Sequence, residues 1–235
     1  MREQALALCR MAAYMPALLI SCASFAQSID YARLYEKEYR VALTFLESHR
    51  DNFEAAAGRA GVGADFMFAI VAPEISQYVN IVDKAQTMAL KTLYVQFGKE
   101  YADFSIGYFQ MKPSFIEQLE EFIHDSDTLS EAFHEIPISG MPPRETRIER
   151  IRRMEDNKWQ YAYLAAFCSV VRNRFNDIVF PSEEEKLRFY SNAYNAGFLH
   201  DAEFLLRPHK AGFPRTGRYR FRYADVALCF FLAVH

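Results

Sequence analysis

The segment from Trp159 to Phe175 most constrains how this chain can fold. Its residues are apolar nearly all round a helical wheel, and no polar stripe would face water along its middle. A helix of this kind must be covered on every side, so it needs several other helices packed around it. We therefore expect this segment in the middle of a helical domain.

Helical periodicity also dominates the rest of the chain. Apolar residues recur near a period of 3.6, and no segment shows the strict alternation of a half-buried strand. Gly and Pro occur only 9 times each in 235 residues, which permits long helices. The sequence therefore predicts a mainly α fold with little or no β structure. Helices are predicted over 31–60, 66–78, 84–97, 114–124, 144–153, 159–175, 182–195 and 223–235, with a long loop over 125–143. Asp65 is predicted to cap the second of these helices, and Ser114, with Glu117 three residues later, is predicted to cap the fourth.

Composition narrows the class of protein. A hydrophobic fraction of 51% with 24% charged residues is typical of a globular chain and not of a disordered one. A formal net charge of −3 gives no case for nucleic acid as a partner. After removal of an export segment, the remaining length favours a single domain, at 27–235.

The N-terminus has the pattern of a signal peptide. Arg2 and Arg10 lie before a short apolar run. Small residues then stand before a cleavage point between residues 26 and 27. A competing interpretation is a lipoprotein signal over 1–21, in which Cys22 is lipidated and attaches the chain to an outer membrane. A third is an uncleaved anchor. All three predict an exported protein of the periplasm or cell envelope.

Two cysteines, Cys168 and Cys229, lie outside the export segment. In an oxidising compartment they could pair, but both stand in apolar helical segments, which favours two separate buried thiols. No Cys or His spacing indicates a metal site, so no metal is expected. We expect no cofactor either.

The chemistry is centred on an apolar run from Phe66 that ends on Glu74. Burial disfavours the charged form of a carboxyl group and raises its pKa, which is the state a general acid needs near neutral pH. Pro73 interrupts the helical ladder directly before this residue, so the helix is expected to bend or end there. That geometry would expose Glu74 at the edge of a cleft.

Two further motifs follow Glu74 along the chain. Gly107-Tyr108-Phe109-Gln110 is a compact turn before Pro113, and Ala193-Tyr194-Asn195-Ala196-Gly197 closes a helix. Together with the upstream glutamate, and in this order, they resemble the lytic transglycosylases of the lysozyme superfamily. The resemblance covers about Ala64 to Gly197.

The resemblance implies a lysozyme-like domain with a catalytic cleft and a defined set of site residues. Glu74 would be the catalytic acid and then base, acting on peptidoglycan glycan strands between N-acetylmuramic acid and N-acetylglucosamine to leave 1,6-anhydro ends. Gln110 and the backbone at Gly107 would bind the sugar. Ser105 either lines the cleft or serves only to form the turn. Tyr194 would orient Glu74 or the acetamido group, and Asn195 would fix the helix end. A place in a larger envelope complex is compatible with this role.

Alternatives remain open at this point. The gap between Glu74 and Gly107 is longer than the family usually has, and it contains two further carboxylates, Asp83 and Asp103. If either faced Glu74, water could be activated and the enzyme would be a hydrolase of the lysozyme type. A binding protein that keeps the groove without turnover is a second alternative. A cysteine hydrolase using Cys168 is the third, but no base lies near this residue in sequence.

Two further segments of the chain are rich in charged residues. The stretch 144–153 is predicted to be a helix whose charges face water, with acid–base pairs at helical spacing. The stretch 207–222 mixes basic and aromatic residues. We expect it to form a solvated rim with the aromatic rings packed inward, or alternatively a surface for peptidoglycan carboxylates or anionic lipid.

Overall fold

A computed structural model describes residues 31–78 and 84–235. Within them the predicted mainly α fold is confirmed. The helices are α1 Glu36–Ala60, α2 Ala64–Gln77, α3 Lys84–Phe97, α4 Pro113–His124, α5 Asp127–Ala132, α6 Pro143–Glu155, α7 Asn157–Arg174, α8 Glu183–Ala196, α9 Ala202–Leu206 and α10 Tyr223–Val234. The extended structure in this part of the chain is limited to two isolated antiparallel bridges, Ile106–Met111 and Phe213–Phe221. The predicted signal segment, with Cys22, and Asp83 lie outside the described residues.

The ends of the helices differ from the sequence predictions in three places. The predicted loop over 125–143 contains the short helix α5, whose first turn is capped by the Ser126 side chain. Asp65 was expected to cap α2, but the cap residue is Gly63, and Asp65 pairs with Arg50 of α1 at 2.5 Å instead. Ser114 does not cap α4 either. Its backbone N–H and its hydroxyl instead donate hydrogen bonds to the carboxylate of Asp103.

The helix predicted to be central does lie in the middle of the fold. Along α7 the residues from Gln160 to Val171 are buried with a single interruption at Ala162. It packs against α1, α4, α6 and α8. Phe167, which is fully buried, contacts the rings of Phe115, Tyr194 and Phe198 and so joins α7 to the end of α8.

The second buried helix is α2, which carries Glu74. Its residues from Phe66 to Pro73 are all buried, and it packs against α1, α8 and α10. The proline does not end the helix, because α2 continues to Gln77. Tyr31, in the helical turn 31–34 that precedes α1, contacts the Ser76 hydroxyl at 2.7 Å and so holds this last turn of α2 from outside.

The prediction that the charged helix simply faces water is wrong for part of α6. Arg150 is buried and donates hydrogen bonds to both carboxylate oxygens of Glu120, at 3.1 and 2.6 Å, and to the Tyr94 hydroxyl at 2.6 Å. Arg147 donates to the carbonyl oxygens of Val95 and Gln96 at the end of α3. These arginines therefore fasten α3, which forms part of a cleft wall, to α4 and α6.

Among the described residues, no single helix is long and apolar enough to cross a membrane, whereas α1 and α2 meet that criterion together but are bent by 115° at the break between them.

Candidate active site

A cleft of about 1000 Å³ opens where the last turn of α2 meets the ends of three other segments. These segments are the stretch from Asp103 to the first turns of α4, the end of α8, and the loop before α10. Five of the six site residues predicted from the sequence line this cleft: Glu74, Ser105, Gln110, Tyr194 and Asn195. Gly107 does not line it, but lies directly behind Gln110.

Glu74 is a partly buried carboxyl at the floor of the cleft. Burial raises its pKa from 4.5 to about 7, and the nearby positive charge of Arg215 opposes this rise. In the described part of the chain, no hydrogen-bond donor lies within bonding distance of the Glu74 side chain to stabilise its charged form. The group therefore carries a proton for about half of the time at neutral pH, as a general acid requires.

Two buried tyrosines flank this carboxyl. The Tyr194 hydroxyl donates to the carbonyl oxygen of Phe109 at 2.6 Å, and the Tyr223 hydroxyl donates to the carbonyl oxygen of Ile70 at 2.9 Å. Burial raises the pKa of both phenols well above 10, and the charge of Glu74 raises it further. Both tyrosines are thus neutral donors that fix backbone around the acid, and neither can act as a base near neutral pH.

The turn at 107–110 is held from two sides. The Phe109 N–H donates to the side-chain oxygen of Gln160 on α7 at 3.1 Å, while its carbonyl accepts the bond from Tyr194. The Gln110 amide group donates to the carbonyl oxygen of Gly107 at 2.6 Å. This bond uses one of the two N–H groups of the amide, so the amide oxygen and the second N–H of Gln110 are left to bind a ligand.

This turn also carries backbone strain. Gln110 has a φ of 53°, the left-handed region that a residue with a side chain rarely occupies outside a constrained site. Gly107 has a φ of 73°, and a Cβ atom there would overlap the side-chain amide of Gln160. A glycine is therefore required at this position by both conformation and space.

Asp103 lines the same cleft but is already engaged. Its carboxylate accepts the Ser114 N–H at 3.0 Å and the Ser114 hydroxyl at 2.8 Å, and Lys112 lies 3.6 Å away. These contacts tie the carboxylate to the start of α4. Asp103 thus acts as a helix cap, which leaves it poorly placed to activate a water molecule.

The expected role of Asn195 at the helix end is wrong. The end of α8 is closed by the Gly197 N–H, which donates to the carbonyl of Ala193 at 3.0 Å. Asn192, one turn earlier, makes the structural side-chain bond, to the carbonyl of Leu205 at 2.8 Å. The Asn195 side chain is exposed in the cleft instead, where it is available to a ligand.

Sequence reasoning missed three residues of this site. Tyr223 opens an apolar helix whose periodicity gives no sign of the cleft, and Gln160 is hidden in the most apolar helix of the chain. Arg215 stood out only as one of several cations in a basic stretch. No local pattern signals any of them, because each acts through a contact with a segment far away in sequence.

Cys168 and Cys229 are both buried and form no disulfide with each other, which confirms the prediction of separate buried thiols. Burial raises the pKa of the Cys168 thiol to about 12, so this residue is not a nucleophile. In residues 31–78 and 84–235, no group of three or more His, Cys, Asp or Glu side chains is placed to hold a metal ion.

Comparison of the chain with protein-family models, with curated proteins and with solved structures finds no match.

Proposed function

We propose that this protein is an exported enzyme that cleaves the glycan strands of peptidoglycan, as a lytic transglycosylase with a lysozyme-like arrangement of its site. One observation carries the proposal. The glutamate, the glutamine turn and the tyrosine–asparagine helix end are separated by tens of residues in sequence, yet Glu74, Gln110, Tyr194 and Asn195 line one cleft. A random resemblance of short motifs would not be expected to bring them together.

In the proposed reaction, the carboxyl group of Glu74 acts first as an acid and then as a base. The protonated Glu74 donates its proton to the glycosidic oxygen, and the bond from that oxygen to the anomeric carbon of the muramic acid breaks. The acetamido group of the same sugar stabilises the positive charge at this carbon. The Glu74 carboxylate then removes the proton from the 6-hydroxyl, whose oxygen bonds to the anomeric carbon. The product is a 1,6-anhydro sugar, and no water is consumed.

The neighbouring residues would position the substrate for these steps. The free amide oxygen of Gln110 can accept a hydrogen bond from an acetamido N–H or a sugar hydroxyl. Asn195 and Ser105, both in the cleft lining, offer further polar groups. Tyr194 would act mainly through the turn, because its hydroxyl is bonded to Phe109.

The engagement of Asp103 favours the lyase over the hydrolase. A two-carboxylate mechanism needs a second acid that is free to activate water or to form a covalent intermediate. Asp103 accepts two hydrogen bonds from Ser114 and lies 3.6 Å from Lys112, so it is engaged in holding the start of α4. The substrate-assisted route needs Glu74 alone.

The test compares the wild type with Glu74→Gln on purified sacculi, measuring soluble muropeptides by chromatography and mass spectrometry. The substitution removes the proton that is donated and should reduce release by about 100-fold or more, with binding to sacculi retained. Glu121→Gln, an exposed residue of α4, is the matched control and should release as much as the wild type. Products of the lyase lack one water relative to products of a hydrolase.

Two outcomes would contradict the proposal. Undiminished release by Glu74→Gln would remove this residue from the chemistry. Binding of the wild type to sacculi without any release would indicate a non-catalytic peptidoglycan-binding protein instead.

A further inference from the structure

The cleft holds more positive than negative charge. It is lined by three cations, Lys112, Lys210 and Arg215, and by two acids, Glu74 and Asp103. Lys112 and Asp103 lie 3.6 Å apart and offset each other. Glu74 is neutral for about half of the time near pH 7 because burial raises its pKa to about 7. Lys210 and Arg215 therefore leave the cleft with a net positive charge.

These two cations belong to the basic wall, which we define as residues 207–222. Both are exposed, and within the described part of the chain no acidic side chain lies within 4 Å of either one. Two other cations of the wall do have partners: Arg220 is bonded to the carbonyl of Pro214, and Arg222 lies 3.9 Å from Asp225. Lys210 and Arg215 thus face the cleft without the partners that usually offset surface charge.

The backbone of the basic wall is held in place, so Lys210 and Arg215 are carried on a fixed segment of the chain. The backbone of Phe213 exchanges hydrogen bonds with Phe221 at 3.0 and 2.6 Å, and both rings are buried. The Tyr35 hydroxyl of the segment before α1 donates to the carbonyl of Tyr219 at 2.9 Å. A guanidinium group carried on a fixed backbone binds a carboxylate with less loss of conformational entropy than one carried on a mobile loop.

We propose that the basic wall selects glycan strands that carry carboxylates, with Arg215 as the main anion-binding residue and Lys210 as its support. This inference rests on the proposed function and adds the charge of the substrate to it. A guanidinium group suits a carboxylate because its two parallel N–H groups match the two oxygens. In peptidoglycan the carboxylate comes from the lactyl group of muramic acid or from a stem peptide.

The position of Arg215 also links substrate charge to the catalytic acid. Its positive charge lowers the pKa of Glu74 against the effect of burial, while the neighbouring phenols of Tyr194 and Tyr223 are neutral. A carboxylate bound at Arg215 offsets that positive charge. Glu74 then retains its proton more strongly when a charged strand occupies the cleft than when a neutral strand does.

The experiment uses the full chain and three soluble glycan strands of equal length. The first carries stem peptides, the second has no peptides and free lactyl carboxylates, and the third has the same lactyl groups converted to neutral methylamides. We expect the kcat/KM of the wild type for the neutral strand to be at least about tenfold lower than its kcat/KM for whichever charged strand it cleaves faster. Preference for the first strand alone assigns the carboxylate to the stem peptide, and preference for the second alone assigns it to the lactyl group. Equal preference for the first two shows that the basic wall accepts either carboxylate.

Arg215→Gln should lower kcat/KM on the charged strands to the value for the neutral strand, and Lys210→Gln should have a smaller effect of the same kind. Arg218→Gln is the matched control, because Arg218 is an exposed cation of the same wall that does not line the cleft. Arg218→Gln should leave the kcat/KM for each of the three strands at its wild-type value. Circular dichroism establishes that each variant is folded.

Equal cleavage of all three strands, unaffected by Arg215→Gln, would overturn the charge selection while leaving the proposed function intact. Absence of cleavage of any strand would overturn the proposed function. In that case, binding of the three strands to Glu74→Gln, measured by calorimetry, still decides the inference. Tighter binding of a charged strand that is lost on adding Arg215→Gln supports it, and equal binding overturns it.

Discussion

At the scale of the residue, one acidic side chain and its surroundings govern this protein. Glu74 keeps an elevated pKa because its helix is apolar and buried, and because its carboxyl gains no hydrogen-bond donor from the described residues. Arg215 moderates this effect without cancelling it. The balance of burial against the positive charge of Arg215 sets the proton affinity of the acid.

This raised pKa has a measurable effect on stability. Between pH 4.5 and about 7 the unfolded chain loses the Glu74 proton while the folded chain retains it. The folded state binds more protons in this window, so the free energy of unfolding falls as the pH rises. We expect Glu74→Gln, which has no such group, to gain about 3 kcal/mol relative to the wild type between pH 4 and pH 8.

Urea denaturation at the two pH values measures this difference. The exposed Glu121→Gln serves as the control and should show no such gain. A constant difference between Glu74→Gln and the wild type at both pH values would mean that Glu74 titrates as an ordinary surface carboxyl. The same result would weaken its assignment as a general acid.

At the scale of the element, the turn at 107–110 depends on α7 and α8 for its shape. The peptide at Phe109 is bonded on one side to Gln160 and on the other to Tyr194, and both bonds are buried. The strained φ of Gln110 persists because these contacts over-determine the turn. Helix packing thereby delivers the Gln110 side chain to the cleft in a fixed orientation.

Gly107→Ala should lower the free energy of unfolding by more than the left-handed backbone conformation alone predicts. Gly140→Ala is the matched control, since its φ of 74° is nearly that of Gly107 at 73° but open space surrounds its Cβ position. Each substitution should cost about 1–2 kcal/mol for the left-handed backbone. Gly107→Ala should cost about 1–3 kcal/mol more, because displacing Gln160 leaves the buried Phe109 N–H without its acceptor.

Thermal and urea denaturation measure these costs, and muropeptide release should fall for Gly107→Ala only. Equal destabilisation by the two substitutions would show that the Gln160 side chain moves aside freely. The turn would then not depend on α7.

At the scale of the whole molecule, a core continuous from Tyr31 to Phe231 lies behind the cleft. Arg150 and Arg147 join α3 to this body through buried polar contacts, although the sequence predicted a helix face in water. Export of the chain and the single domain at 27–235 stay predictions. The core does account for the two thiols, since Cys168 and Cys229 are both buried in it or beside it.

Thiol labelling tests whether this core is closed. In a variant with Cys9→Ser and Cys22→Ser, we expect Cys168 and Cys229 to react at least about 1,000-fold more slowly than in denaturant, since labelling requires opening of the core. Time-resolved absorbance with a thiol reagent measures both rates, and the intact mass shows whether both thiols are free. Rapid reaction of Cys168 in the folded protein would contradict its burial and reopen the cysteine-hydrolase alternative.

The sequence by itself determined the helical content, most helix boundaries, the central position of α7 and five of the six cleft-lining candidates. These features depend on periodicity, capping and turn chemistry, which act over a few residues. Only the tertiary structure decided the partners of those residues. Tyr223 reaches Ile70 across 153 positions, Tyr194 reaches Phe109 across 85, and Gln160 reaches Phe109 across 51. The pKa of Glu74 likewise depends on everything that packs around it, and desolvation leaves no local trace in the chain.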